Sequence, residues 1–299
     1  MKLLSLLDRL STADAPADAP AAATPRRDLL HRLGQASARA AVAALPLAAA
    51  LPAQAAPTDT TLDAILLLLK LEDLLSALYT QALAAPALSG AARAAVRPDF
   101  ERMLRHQQGH AQFYRTTLLT AGLNPPAAPS FDFSGRRNNP GNPVLFPNVL
   151  NDYSTFLQLA QQLEDASASI YLNQITAFGT DRQLRNVVLR TQTVEARHAS
   201  HLRTLRRTTT ASPVKSWPSN ADVVPTPTVV VPSRAGGSAA PVSIYSFEAN
   251  ETQLVSGTTA VPFLALLTGA TAVQFVALSE AFDEPLPTAQ ATALLSIFG

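Results

Sequence analysis

The chain has 299 residues, a formal net charge of +1 and no cysteine. These facts exclude disulfides, thiolate metal sites and cysteine nucleophiles, and they leave no electrostatic footprint for a nucleic acid. Apolar residues make up 47% and charged residues 15% of the chain, enough for a sizeable buried core.

In chain order, residues 1–55 read as a leader. Arg26-Arg27 supplies a basic start, the Ala/Leu run 36–51 a moderately apolar centre, and Ala53-Gln54-Ala55 a small-x-small cleavage signal. The paired arginines match the twin-arginine (Tat) class of signal, which predicts export to a periplasmic or other extracytoplasmic location. An alanine-rich leader with a chance arginine pair is the plainer alternative.

Residues 56–207 read as four long helices. In 60–83, Leu62, Ile65, Leu66, Leu69, Leu74 and Leu78 recur at three- and four-residue spacing, behind cap candidates in Thr58–Thr61. A second helix is expected over 91–121, with Pro98 kinking it or marking its true start, and with Gly122 and Pro125-Pro126 ending it. The proline-rich stretch 123–148, with Arg136-Arg137 in what reads as a solvated turn, is too long for a tight turn and reads as a crossover. Helix three is expected over 151–178, and Gly179-Thr180-Asp181 caps a fourth that runs to about Arg207. The fold class is therefore all-α, a four-helix bundle with one long crossover between helices 2 and 3.

From Thr208 the composition turns to Pro, Thr, Ser and Val, predicting an irregular, partly extended C-terminal extension (208–299) with short helices, packed on the bundle. Within it, 261–278 is apolar but interrupted by Pro262, Gly269, Thr271 and Gln274. Two buried helical pieces are expected there, not a stable membrane span. A last short helix is expected over 287–298.

Two stretches share one frame, LEDLLSALY (71–79) and LEDASASIY (163–171), each with a glutamate seven residues before a tyrosine. Between and after them lie Gln107-x-x-His110 and Glu195-x-x-His198, and His110-x4-Arg115-Thr116 matches His198-x4-Arg203-Thr204. A dinuclear metal site in a helix bundle needs single carboxylates from two helices and Glu-x-x-His pairs from the other two. The i, i+3 spacing puts both side chains of a pair on one face. Glu72, His110, Glu164, Glu195 and His198 fill five of the six places, and carboxylate with imidazole suits iron or manganese. Glu72 and Glu164 lie in apolar stripes, where an unpaired carboxylate would be costly, so each needs a positive partner: a metal ion, Arg or His. Gln107 takes the sixth place. As a neutral amide it weakens the metal position of its own half and leaves one ion, two or none open. Neither His106, about 100° round the helix from Gln107, nor Glu101 substitutes for it.

Tyr79 and Tyr171 have two readings: phenols beside the metal site that bond or exchange electrons with it, or core tyrosines with satisfied hydroxyls. His201 reads either as an entry ligand or as a surface histidine, and Asp283-Glu284 either as a cation site or as an acidic helix end.

On these motifs residues 60–207 resemble the ferritin-like superfamily, and more narrowly exported bacterial ferritin-like domain proteins related to plant desiccation-related proteins. Leu278-Ser279-Glu280-Ala281-Phe282-Asp283-Glu284-Pro285-Leu286 is similar to a stretch near the C-terminus of that group. The resemblance implies metal ligation by Glu72, His110, Glu164, Glu195 and His198. It implies metal binding or metal-assisted redox chemistry on oxygen or peroxide more loosely, because the group's activity is poorly defined. A stress-related structural or interaction protein that keeps the bundle without a working site is the alternative. Metal ions are the expected partners; a homo-oligomer is left open, but the long tail argues against a closed storage shell.

Overall fold

The computed structural model describes residues 59–179, 181–210, 213–222, 229–231, 240–242, 244–249, 252–256, 259–262, 277 and 279–299. The stretch 1–55, expected to be a leader, and most of the 261–278 apolar run lie outside these residues; Val261 and Pro262 end a short strand.

Four long helices carry the fold: α1 (Asp59–Ala84), α3 (Arg97–Thr120), α4 (Tyr153–Gln174) and α5 (Arg182–Thr210), with a single-turn helix α2 (Pro86–Ser89) between the first two. Of the two readings of Pro98 in the second predicted helix, the structure has it mark the true start. Ala91–Arg93 is a separate 3-10 turn, and Pro98 sits in the first turn of α3, where its missing N–H costs nothing. At the far end Gly122 takes φ +76, and the Leu123 N–H reaches back to the Leu118 carbonyl at 2.9 Å, a closure that needs a left-handed residue. Asp152 caps α4 by accepting from the Thr155 N–H at 2.8 Å, and Asp181 caps α5 through Gln183 and Leu184 N–H groups at 3.0 Å.

α1 packs along α3 and α4 along α5, two hairpins that meet where α1 faces α4. Of the predicted stripe Ile65, Leu69, Leu74 and Leu78 are buried, whereas Leu62 and Leu66 are only partly so; with Leu68, Leu71 and Leu75 the buried positions share one core with Phe156, Leu157, Leu163 and Ile170. α4 is buried almost all round, while α5 turns a charged face outward. No helix among the described residues is long and apolar enough to cross a membrane.

Beyond α5, two antiparallel pairs of short strands form, β1 (Val229–Val231) with β2 (Ala240–Val242) and β3 (Thr252–Ser256) with β4 (Thr259–Pro262). Helix α6 (Thr288–Leu295) follows. Its end is anchored: Phe298 stacks on Phe146 and lies tilted against Phe133 of the 121–152 link, and the Asp132 N–H donates to the Phe298 carbonyl at 2.8 Å.

Candidate metal centre

Each long helix brings one part of the repeated pattern to a common point inside the bundle. Glu72 of α1, Glu164 of α4 and Glu195 of α5 are fully buried, as is Gln107 of α3. His198 is 6% exposed, and the His110 side chain 17%. Two groups of convergent ligand atoms result, Glu72–His110–Glu195 and Glu164–Glu195–His198, with Glu195 common to both and the atoms of each within 4.8 Å of one another. Both histidines present Nδ1. His110 Nδ1 lies 3.4 Å from Glu72 Oε2 and 3.1 Å from Glu195 Oε1; His198 Nδ1 lies 3.4 Å from Glu164 Oε2 and 3.7 Å from Glu195 Oε2. Among the described residues no Arg or Lys pairs with these three carboxylates.

The tyrosines take partners that their spacing did not suggest. Seven residues along one helix separate two side chains by roughly 10 Å, too far for a hydrogen bond. Tyr79 instead donates to Glu164 Oε1 at 2.5 Å, and Tyr171 donates to Glu72 Oε1. Residue number rises on α1 as it falls on α4, so the antiparallel seam exchanges the two phenols between halves. Each tyrosine is thus a buried core ring whose hydroxyl donates to a carboxylate of the cluster.

Gln107 also crosses between halves. Its Nε2 donates to Glu164 Oε1 at 3.0 Å and Glu195 Oε2 at 2.9 Å and lies 3.3 Å from His198 Nδ1, while Oε1 is 3.2 Å from His110 Nδ1. Ser167 Oγ adds a weak donation to Glu195 Oε2 at 3.3 Å. That leaves Glu72 Oε2, Glu164 Oε2 and Glu195 Oε1 buried without a hydrogen bond, each facing an imidazole nitrogen. Unsatisfied carboxylate oxygens in a dry core are costly unless a cation meets them, and in this oxygen and nitrogen donor set a hard divalent ion fits.

Protonation follows the same crowding. Burial and the facing Glu195 push Glu72 up to about 7 and Glu164 up to about 8. Burial opposes ionisation of Glu195 too, but His110 and His198 hold it well below the usual carboxylate range. Burial works against charge on the two histidines, yet the carboxylates prevail and raise each to about 10. Burial and a carboxylate partner keep both tyrosines protonated, hence donors. Without a metal, protons on the imidazoles take the place of cations.

Further residues come into view around the cluster. Asp73 and Asp165, each directly after its glutamate, pair with Arg115 and Arg203, which occupy matching places in the repeat: Arg115 Nη2 reaches Asp73 at 2.8 Å, and Arg203 Nη2 reaches Asp165 at 2.6 Å. The matched spacing of the two arginines was the available signal. His106 stacks on His198 with ring centroids 5.2 Å apart, its Nδ1 at 3.0 Å from His198 Nε2. Glu101 pairs with Arg97 instead. His201 meets Asp99 at 3.2 Å and, with His106 and His198, lines a cavity of about 370 Å³ between α3 and α5. A cavity of about 420 Å³ beside Phe131 and Phe146 includes none of the cluster residues. Asp283 and Glu284 join no group of convergent ligand atoms among the described residues.

Fold and site together define a helical bundle with a carboxylate–histidine cluster compatible with a metal. The ferritin-like domain family matches residues 60–208, so the bundle is a ferritin-like domain, which supports a place in the ferritin-like superfamily. No curated protein matches the chain.

Proposed function

We propose that this is an exported ferritin-like protein whose bundle binds iron or manganese and uses it in redox chemistry on oxygen or peroxide. The observation that carries the reading is the convergence of three buried carboxylates and two imidazole Nδ1 atoms, with three carboxylate oxygens left without donors. His110 and His198 anchor, Glu72 and Glu164 are terminal ligands, and Glu195 is shared. A bound ion supplies the one-electron steps that this chemistry requires. Tyr79 and Tyr171 hold Glu164 and Glu72 in place through their hydroxyl protons. The bundle follows the one-crossover plan, with 123–148 as crossover and 208–299 as an extension; 1–55 is the twin-arginine-type leader. Loading the chelator-stripped protein with Fe(II) or Mn(II) and following oxygen and peroxide consumption tests the activity. Bound metal without consumption removes the redox part, and no bound metal removes the whole. Fractionating the producing cells, with N-terminal sequencing of the product, tests export.

A second reading, a stress- or desiccation-related structural or interaction protein without a working site, is favoured by one observation. Gln107 already satisfies two of the cluster carboxylates.

A further inference from the structure

The Gln107 side chain lies where the two ligand groups meet. Its Nε2 contacts all three residues of one group, at 3.0 Å from Glu164, 2.9 Å from Glu195 and 3.3 Å from His198, while its Oε1 points to His110 of the other at 3.2 Å. Electrostatics fixes this orientation, because turning the amide over would set its carbonyl oxygen against two carboxylates. An amide N–H can satisfy those lone pairs, but it brings no positive charge, and it uses oxygens that an ion at the same place would need. The other group keeps more open atoms: Glu72 Oε2 and Glu195 Oε1 accept no hydrogen bond and face His110 Nδ1, whereas the first group keeps only Glu164 Oε2, facing His198 Nδ1.

Resting on the metal-binding reading, we propose that the centre takes a single ion, held by Glu72, His110 and Glu195 with the Gln107 carbonyl oxygen beside them. The amide nitrogen of Gln107 closes the Glu164–Glu195–His198 place as a built-in substitute for a second cation. This reverses the expectation from spacing, which placed the weakness in the half that contains Gln107. In the folded bundle the glutamine serves its own histidine and blocks the opposite one.

The test uses the full chain, stripped with chelator, reloaded with Mn(II) without oxygen and desalted, with metal per chain and the electron paramagnetic resonance spectrum as readouts. One ion per chain with the spectrum of an isolated ion is expected. Glu164→Gln keeps that ion and Glu72→Gln loses it, while Gln107→Glu takes up a second, exchange-coupled to the first. Two coupled ions in the unaltered protein overturn the proposal and leave the metal-binding reading standing. Retention by Glu72→Gln with loss by Glu164→Gln overturns the assignment. No metal in either the unaltered protein or Gln107→Glu removes the metal-binding reading and the proposal with it. The stoichiometry of the unaltered protein decides the number of ions even if a variant fails to fold.

Discussion

Glu72 and Glu164 are each held by a tyrosine from the other half of the repeat, so the phenols tie the hairpins together as well as orienting two carboxylates of the cluster. Replacing Tyr171 by Phe keeps the ring and strands Glu72 Oε1, and replacing Tyr79 by Phe removes one of the two donors to Glu164 Oε1, the other being Gln107. Each change is expected to lower the unfolding free energy by about 1–3 kcal/mol in chelator-treated protein, measured by denaturant titration. An unchanged midpoint would mean that the hydroxyls contribute nothing. The cluster also sets a pH dependence. Glu72, Glu164, His110 and His198 have raised values of about 7, 8, 10 and 10, so the native state holds their protons more tightly than the unfolded chain. The stability they contribute is full below their ordinary values and drains away as pH rises through these raised ones. Glu195 runs the other way: its contribution is lost as pH falls through its lowered value. Metal-free protein should therefore lose thermal stability from neutral pH towards 10, and metal affinity should rise over the same window because ligand protons must leave. Thermal melts in chelator, and calorimetric metal titrations in buffers of different ionisation enthalpy, check the two halves of this statement. The convergence of the Glu/His cluster was legible because i, i+3 spacing is a property of a single helix. The exchange of tyrosines and the reach of Gln107 were not, since both depend on which helices face each other.

At the level of elements, the repeat supplies two bolts, Asp73–Arg115 between α1 and α3 and Asp165–Arg203 between α4 and α5. They are alike in position and unlike in surroundings. Arg115 is 24% exposed, whereas Arg203 is wholly buried and also holds Asp222 at 2.8 Å and the Trp217 carbonyl at 2.9 Å. Removing one partner of a buried ion pair leaves an uncompensated charge, so Arg203→Ala should cost roughly 3–5 kcal/mol, and Arg115→Ala clearly less because that pair lies nearer to solvent through Arg115. Denaturant unfolding of both variants checks this, and equal losses would refute the distinction. The helices themselves were legible from leucine periodicity and from Pro98, Gly122 and Asp181, whose effects are local. The start of α3 at Arg97 is one of the two readings of Pro98; residues 91–95, four alanines and Arg93, have helix propensity but too few buried contacts to extend the helix back.

Across the whole molecule, the segment after α5 returns to the bundle at several points. Arg203 grips the Trp217 carbonyl, Tyr245 donates to Asp165 at 2.6 Å, and the Leu286 N–H donates to the Ser169 carbonyl at 3.0 Å. Lys215 and Ser219 meet Glu280, joining two parts of the tail to each other. None of these pairings has a sequence period, so composition alone could announce an irregular tail without saying where it docks. The last turn carries the clearest energetic consequence. Phe298 is fully buried, with its ring 5.8 Å from Phe133 and 5.4 Å from Phe146, and Lys70 of α1 donates to the Gly299 carbonyl at 2.8 Å. Truncating a large aromatic in such a place removes its transfer free energy and leaves a cavity between two rings that cannot collapse onto each other. Phe298→Ala should therefore destabilise the protein by about 3–5 kcal/mol, whereas Leu119→Ala, at a side chain 57% exposed on α3, should change it by less than about 0.5 kcal/mol. Because the residues that lose contact belong to the 121–152 link and not to the Glu/His cluster, metal bound per folded chain should stay the same in Phe298→Ala. Loss of both together would show instead that the tail holds the ligand helices in register.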